Sequence, residues 1–324
     1  MREKYGTVMN LEYQLLVAFG LDLLLGDPRR LPHPVKLMGR FALALEAPLR
    51  RRFANPRLAG IAAVILVVGS AGLITWTAIR CAAFAHPFAG DAVSILLLYT
   101  TFAARDLLRH SQGVYKALET GDIRGAREAV AMLVGRDTKD LDEGGVSRAA
   151  VESVAENLID GVTAPIFFAV LGGPVAAMMY KAVSTLDSTF GYKTERYLFF
   201  GRASARLDDA ANWLPARLTV PFIAVAAAVC GYRPLGALRV CLRDGGNHPS
   251  PNAGLGEAAV AGALGVQLGG LNYYDGEPEE GALMGEPIRL LNRRSIFSAN
   301  ILAFVTAALF LLACVAARYI LVSV

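Results

Sequence analysis

Apolar residues in this chain gather into long runs instead of alternating with polar ones, and two of the runs carry no charge at all: Leu58 to Ile79 and Ser295 to Ala317. A helix needs about 20 apolar residues to cross a hydrocarbon core about 30 Å thick. One Asp or Arg at its centre would cost about 2.5–3.5 kcal/mol on the insertion scale, so uncharged runs of this length predict spanning helices. Cys81 to Ala104 reads as a third span, crossing back after a tight turn near His86-Pro87. Leu11 to Leu25 is a weaker candidate because it carries Glu12 and Asp22. Gly161 to Tyr180 is uncharged but interrupted by Pro165 and Gly172-Gly173-Pro174. A full crossing there would export the charged segment 181–217. A re-entrant hairpin of two half-helices reconciles the break with the charges, since irregular backbone at membrane depth is tolerated where protein buries it. Leu218 to Tyr232 and Ala258 to Tyr274 are apolar but short. The second places Gly265 and Gly269 at GxxxG spacing, a close helix-packing face. At least one of the two is expected not to cross.

Composition agrees with that pattern. The 324 residues are 54% hydrophobic and 19% charged, against about 45–50% and 25% for soluble domains. The net charge of +4 is small and interspersed, which argues against a nucleic-acid partner. Cys81, Cys230, Cys241 and Cys314 are scattered singly, giving neither a disulfide framework nor a zinc site. Residues 26–57 hold eight Lys or Arg against Asp27 and Glu46, so the positive-inside rule places this loop in the cytoplasm. Residues 105–160 carry eight basic and eleven acidic residues in helical patterning, including two short helices joined by a Gly-Asp turn. The predicted fold is an all-α polytopic membrane protein with a broken, re-entrant apolar segment and a cytoplasmic helical region. Its divisions are 1–104 (membrane helices and basic loop), 105–160 (cytoplasmic helices), 161–294 (a membrane-interface core) and 295–324 (a last transmembrane helix).

Polar chemistry concentrates in four places. LDLLLGDP, with Asp27, is followed by His33-Pro34-Val35, a turn-rich run after an apolar helix. In Ser147 to Gly161, Arg148, Glu152, Glu156 and Asp160 recur every fourth residue, so three carboxylates would line one helix stripe. Such carboxylates suit a hard cation such as Mg²⁺, although a solvated helix face is the bland reading. The densest segment runs from Tyr180 to Trp213 and holds Lys181, Asp187, Lys193, Arg196, Arg202, Arg206, Asp208 and Asp209. Cations for phosphate oxygens beside carboxylates for Mg²⁺ are what a metal-complexed phosphate needs. The GYKT run lacks P-loop spacing. In DGGNHPSPNAGLGE, a glycine- and proline-rich loop with His248 and Asn252 enters a helix and offers free N–H groups to an anion. No HExxH, GxSxG or GxGxxG occurs, which leaves zinc hydrolases, serine hydrolases and dinucleotide enzymes unsupported. Asp208-Asp209 is shared with prenyltransferase motifs, but no second aspartate-rich motif accompanies it.

In order and spacing, LDLLLGDP with HPV, SRAAVESVAENLIDGVTAPIFF, YKAVSTLDSTFGYKTERYLFFGRASARLDDAANWLPARLT and DGGNHPSPNAGLGEAAVAGALGVQLGG resemble the CobD/CbiB family over nearly the whole chain. The resemblance implies an adenosylcobinamide-phosphate synthase: an integral-membrane, ATP-dependent ligase joining adenosylcobyric acid to (R)-1-aminopropan-2-ol phosphate or a related aminoalcohol. ATP and Mg²⁺ are the implied cofactors, and corrinoid, aminopropanol phosphate and membrane lipid the implied partners. A homo-oligomer is compatible with the sequence. The implied location is the cytoplasmic (inner) membrane, crossed several times, with the site facing the cytoplasm. On this reading Glu152, Glu156, Asp208 and Asp209 serve Mg²⁺, and Lys181, Lys193, Arg196, Arg202 and Arg206 serve phosphates, with Lys181 also among the catalytic groups. Asp187 or His248 accepts the amine proton, and Asn252, Asp27 and His33 join the binding set. The rival from another class is a transporter with its substrate site at the broken helix.

Overall fold

The computed structural model describes residues 8–27, 33–192 and 194–323. Lys193, Arg29 and Arg30 lie outside the described residues. In chain order the elements are α1 (Leu11–Leu25), α2 (Pro34–Arg52), α3 (Pro56–Ala85), α4 (Pro87–Tyr99), α5 (Ala104–Glu119), α6 (Ile123–Ala131) and α7 (Glu143–Leu158). A π-helical turn (Ile159–Thr163) leads to α8 (Ala164–Phe190), α9 (Arg202–Val229), α10 (Pro234–Asp244), α11 (Ala253–Leu264), β1 (Gln267–Tyr274), β2 (Glu277–Gly285) and α12 (Arg293–Ser323). Among the described residues, five helical stretches are long and apolar enough to cross a membrane: Pro56–Ala85, Pro87–Glu119, Glu143–Phe190, Arg202–Val229 and Arg293–Leu321. The chain is a multi-pass, helical membrane protein, and β1 with β2 adds a hairpin to the expected all-α architecture. It divides into two compact units, each discontinuous in sequence: the described parts of 1–103, 164–212 and 313–324, and those of 104–163 and 213–312.

In the first unit α3 shows how an apolar run finds its neighbours. Ala59, Ala63, Val67, Ala71, Thr75 and Ile79 recur every four residues and are buried, whereas Leu58, Ile61, Ile65, Leu73, Ile74 and Trp76 are exposed on other faces. Small residues in the buried row allow close backbone approach, and bulky apolar ones turned outward suit lipid. Gly60 is the tightest case, since a Cβ there would fall 2.0 Å from the Phe200 carbonyl oxygen. The third span differs from expectation at its start. α3 continues through Cys81 to Ala85, and the reversal is made by His86, whose Nδ1 accepts the Phe88 N–H at 3.3 Å while its own N–H donates to the Ala82 carbonyl at 3.0 Å. Pro87 then opens α4 at a position where a missing N–H costs nothing.

The broken apolar segment folds back on itself. Gly172 and Gly173 leave helical geometry, Gly173 at φ 66° and ψ −158°, and Pro174 starts the second half. Phe168 and Tyr180 stack with ring centroids 4.9 Å apart and planes 13° apart. In a straight helix residues twelve apart would stand about 18 Å apart, so the two halves of α8 form a hairpin. Pro165 does not break the chain. It lacks the N–H that would bond the Gly161 carbonyl, and the π-helical turn falls just ahead of it. Near the hairpin, Arg318 of α12 pairs with Glu12 of α1 at 2.8 Å, and its Nη1 donates to the Val170 carbonyl at 3.0 Å. A cation at those last carbonyls is favoured by the dipole of the first half-helix.

In the second unit, α5 and α6 are the expected short helices, joined at Gly121 (φ 75°) and capped by Asp122, whose carboxylate accepts the Gly125 N–H at 2.9 Å. α10 packs closely on α11, because a Cβ at Gly262 would fall 2.2 Å from the Gly236 carbonyl oxygen. The apolar segment 258–274 does not form one helix. α11 ends at Gly265 in the left-handed conformation, and the chain continues as β1. Gly265 and Gly269 therefore form no helix face; Gly269 and Gly270, at φ 81° and 87°, mark a register irregularity in the hairpin. Its tip, Asp275-Gly276, has φ of 51° and 84°, the two left-handed residues of a turn that matches strand twist. Leu218 to Tyr232 also differs from expectation: most of it forms the second half of the long helix α9.

Candidate functional site

The second unit holds a cavity of about 330 Å³ whose walls come from α7, the 133–136 turn, the 248–249 loop, α11 and the hairpin. Among the described residues, four carboxylates line it, Glu152, Glu156, Glu257 and Glu279, together with the guanidinium of Arg136. That guanidinium is already engaged, with Nη2 2.5 Å from Glu152 Oε2 and Nη1 donating to Asn272 Oδ1 at 2.6 Å. Glu152 is held from the other side by the Gly269 N–H at 2.7 Å. Arg148, one turn before Glu152 on the same helix, donates to the carbonyls of Gly269 and Leu271 and to Asn272 Oδ1, fastening the hairpin as a wall. Asp160 lies in the π-helical turn, where widening takes it off the i, i+4 stripe of Glu152 and Glu156.

Glu257 sits within α11, every residue of which except Leu255 is buried. Burial, then repulsion from Glu152 and Glu156, pushes its carboxyl well above the usual range, and Arg136 offsets this only partly. His248 Nε2 lies 3.8 Å from Glu257 Oε1, and its Nδ1 accepts the Ser250 N–H at 3.0 Å. Burial lowers the His248 pKa, with the Ser250 hydrogen bond and Glu152 acting in the opposite direction. Burial also raises Tyr274. Asn252, at the N-terminus of α11, is nearly buried and meets Arg217 Nη1 at 3.5 Å. The cavity thus gathers carboxylates at its wall, Glu152 and Glu257 buried and Glu156 and Glu279 exposed, where an incoming cation would be favoured.

The first unit holds the other expected residues. Tyr180, Ser184 and Asp187 share a face of α8. The Tyr180 hydroxyl donates to Asn212 Oδ1 at 2.8 Å, and Asn212 donates to Asp208 at 3.0 Å. Asp187 and Asp209 are near enough to repel one another. Arg196 is paired in two contacts with Glu46, at 3.0 and 2.8 Å, and Arg50 joins the same carboxylate at 2.9 Å. These partners outweigh the burial of Glu46 and lower its pKa. Arg202 and Arg206 line a smaller pocket with Arg57. Asp27 and His33 lie 3.5 Å apart. Lys181 is on α8, half-buried. The four carboxylates expected to serve one metal are therefore divided, Glu152 and Glu156 in one unit and Asp208 and Asp209 in the other. Among the described residues, no three His, Cys, Asp or Glu side chains are grouped to hold a metal ion by themselves. Arg136, Glu257, Asn272, Tyr274 and Glu279 were not singled out from the sequence. The Asp-Gly pair after Tyr273-Tyr274 is the signal that would have revealed the hairpin.

A family model described as CobD/Cbib protein matches residues 15–319. Cobalamin biosynthesis protein CobD of Geobacter metallireducens is 51% identical over 86% of this chain and 87% of its own length. The CobD protein of Leptospira interrogans is 43% identical over 91% and 94%, and the cobalamin biosynthesis protein CbiB of Salmonella typhimurium 41% identical over 93% and 96%. No solved structure matches the chain.

Proposed function

The chain belongs to the CobD/CbiB family and has a role in cobalamin biosynthesis, and from that premise we propose that it catalyses ATP-dependent amide ligation of adenosylcobyric acid with an aminoalcohol phosphate. The observation that carries the proposal is the cavity in which four carboxylates face one engaged guanidinium. A primary amine arrives as an ammonium ion, and this cavity supplies the charge to hold it.

The chemistry divides into two demands. A carboxylate is a poor electrophile; phosphoryl transfer from ATP converts it to an acyl phosphate and releases ADP. The ammonium first gives a proton to a base; the free amine then attacks the acyl carbon, and the phosphate that leaves carries off the second nitrogen proton. Glu152, Glu156 and Glu279 orient the ammonium, and the His248–Glu257 pair receives its proton, since burial makes Glu257 a stronger base than an ordinary carboxylate. Mg²⁺ keeps waters and phosphate oxygens among its ligands and needs one or two protein carboxylates. Asp187 and Asp209 fit that requirement, with Asp208 fixed behind them by Asn212. Bound metal would neutralise charge on the nucleotide phosphates. Positioning and charge neutralisation account for most of such catalysis. The site is assigned to the cytoplasmic side, where ATP is available, consistent with the basic 26–57 loop.

The test is a mass-spectrometric ligase assay on detergent-purified protein with adenosylcobyric acid, aminopropanol phosphate, ATP and Mg²⁺, each omitted in turn. Adenosylcobinamide phosphate formed only in the complete mixture supports the proposal. Folded protein that yields no product and binds no corrinoid refutes it and favours the transporter reading, for which the α8 hairpin is the relevant observation.

A further inference from the structure

Arg57, Arg202 and Arg206 line one pocket of about 280 Å³, floored by Ile61, Phe199 and Ala203. Among the described residues none of the three guanidiniums has a carboxylate partner, in contrast to Arg50 and Arg196, which share Glu46. Arg57 is held in place by stacking over the Phe199 ring, 5.1 Å from its centroid. The pocket also has a defined depth. Arg57 is the second residue of the spanning stretch Pro56–Ala85 and directly precedes the uncharged run that begins at Leu58, so the pocket sits beside the start of an apolar span. Below them, Ile61 (44% exposed) and Ile65 (65% exposed) continue outward along α3 as an apolar track. Three cations above such a track match a phosphate bearing acyl chains. A soluble nucleotide would gain nothing from the track.

We propose that Arg57, Arg202 and Arg206 form a binding site for the headgroup phosphate of an anionic phospholipid, whose acyl chain lies along Ile61 and Ile65. Guanidinium groups suit phosphate through forked hydrogen bonding, and each cation near an anionic bilayer surface strengthens attachment about fivefold. The site takes Arg202 and Arg206 from the set that the family resemblance gives to substrate phosphates and uses none of the residues given a role under the proposed function, so its lipid-binding test reads independently of ligation.

The full chain, purified in neutral detergent, is titrated with phosphatidylglycerol or phosphatidylcholine and retained lipid is counted by native mass spectrometry. Wild type should retain phosphatidylglycerol in preference to phosphatidylcholine, and R57Q/R202Q should bind the anionic lipid about 30-fold more weakly with phosphatidylcholine unaffected. R57K/R202K should stay within a few-fold of wild type. Wild-type retention by R57Q/R202Q would overturn the site. So would displacement of the lipid by millimolar inorganic phosphate or ATP, which would identify a soluble phosphate as the ligand. If the Gln variant does not fold, the salt dependence of wild type decides: retention of phosphatidylglycerol should fall steeply between 50 and 500 mM NaCl, on the order of the screening expected for exposed charges, and a flat response would refute the proposal.

Discussion

His248 and Glu257 face each other across 3.8 Å at the wall of a cavity whose other titratable groups are mostly carboxylates. The raised Glu257 carboxyl binds protons more readily folded than unfolded, so its contribution to stability is fully present below its ordinary pKa and is lost as pH rises through the raised value. Glu257→Gln removes that penalty. The variant should melt a few degrees above wild type at pH 8, at roughly 2–4 °C per kcal/mol for a domain of about 150–250 residues, with the advantage gone at pH 4.5. Ligase turnover should fall at least 100-fold. Equal melting at both pH values would show that Glu257 is not strained by its surroundings.

His248 acts in the opposite sense. Its lowered pKa means that protonation opposes folding, and stability falls as pH drops from its ordinary value through the folded one. The pH profile of kcat/KM should show an acidic limb that is lost in His248→Gln, with residual activity reduced by about 10²–10⁴-fold, the usual worth of a positioned acid–base group.

Arg136 and Glu152 are a buried pair, with side chains 7% and 11% exposed. Removing one partner strands the other charge, so Arg136→Met should destabilise by about 3–5 kcal/mol, whereas R136M/E152Q should recover much of that loss. Thermal melts of the two variants in the same detergent test this; equal destabilisation would mean the pair is not coupled.

The reversal of α8 depends on Gly173 at φ 66° and ψ −158°, a region open essentially to glycine alone. Gly173→Ala should cost about 1–3 kcal/mol. Impermeant thiol labelling of a cysteine at Ser184 tests the topology in cells. Labelling from the cytoplasmic side fits a re-entrant hairpin, and labelling from the outer side would mean a full crossing.

Asp209→Asn should abolish turnover while leaving expression and melting near wild type, because the substitution keeps size and removes only charge. Normal turnover in that variant would exclude Asp209 from binding the metal–nucleotide complex.

Much of the membrane architecture was readable from the chain because bilayer thickness imposes a length that no soluble core requires. The Gly172-Gly173-Pro174 break was legible for a similar reason: each residue has one strong backbone preference, and the three agree. What escaped was set by tertiary contacts. Nothing in the spacing of Arg136 links it to Glu152, sixteen residues on; the pairing follows from the turn after α6. Glu257 lies in an alanine- and glycine-rich run that reads as packing, and its raised pKa comes from burial first and then from the approach of Glu152 and Glu156, both products of the fold. Asp160 was misplaced because a periodic stripe assumes 3.6 residues per turn, and the backbone widens ahead of Pro165. The hairpin was missed because the apolar residues of α11 and β1 adjoin, hiding the change of period at Gly265.

The ion pair between Glu12 and Arg318 joins the first described helix to the last. Ribosomal synthesis delivers Glu12 about 300 residues before Arg318. Until then Glu12 lacks this guanidinium, so the contact can form only after α12 has been made. A deletion that removes Arg318 would therefore be felt at α1, on the far side of the sequence from the change.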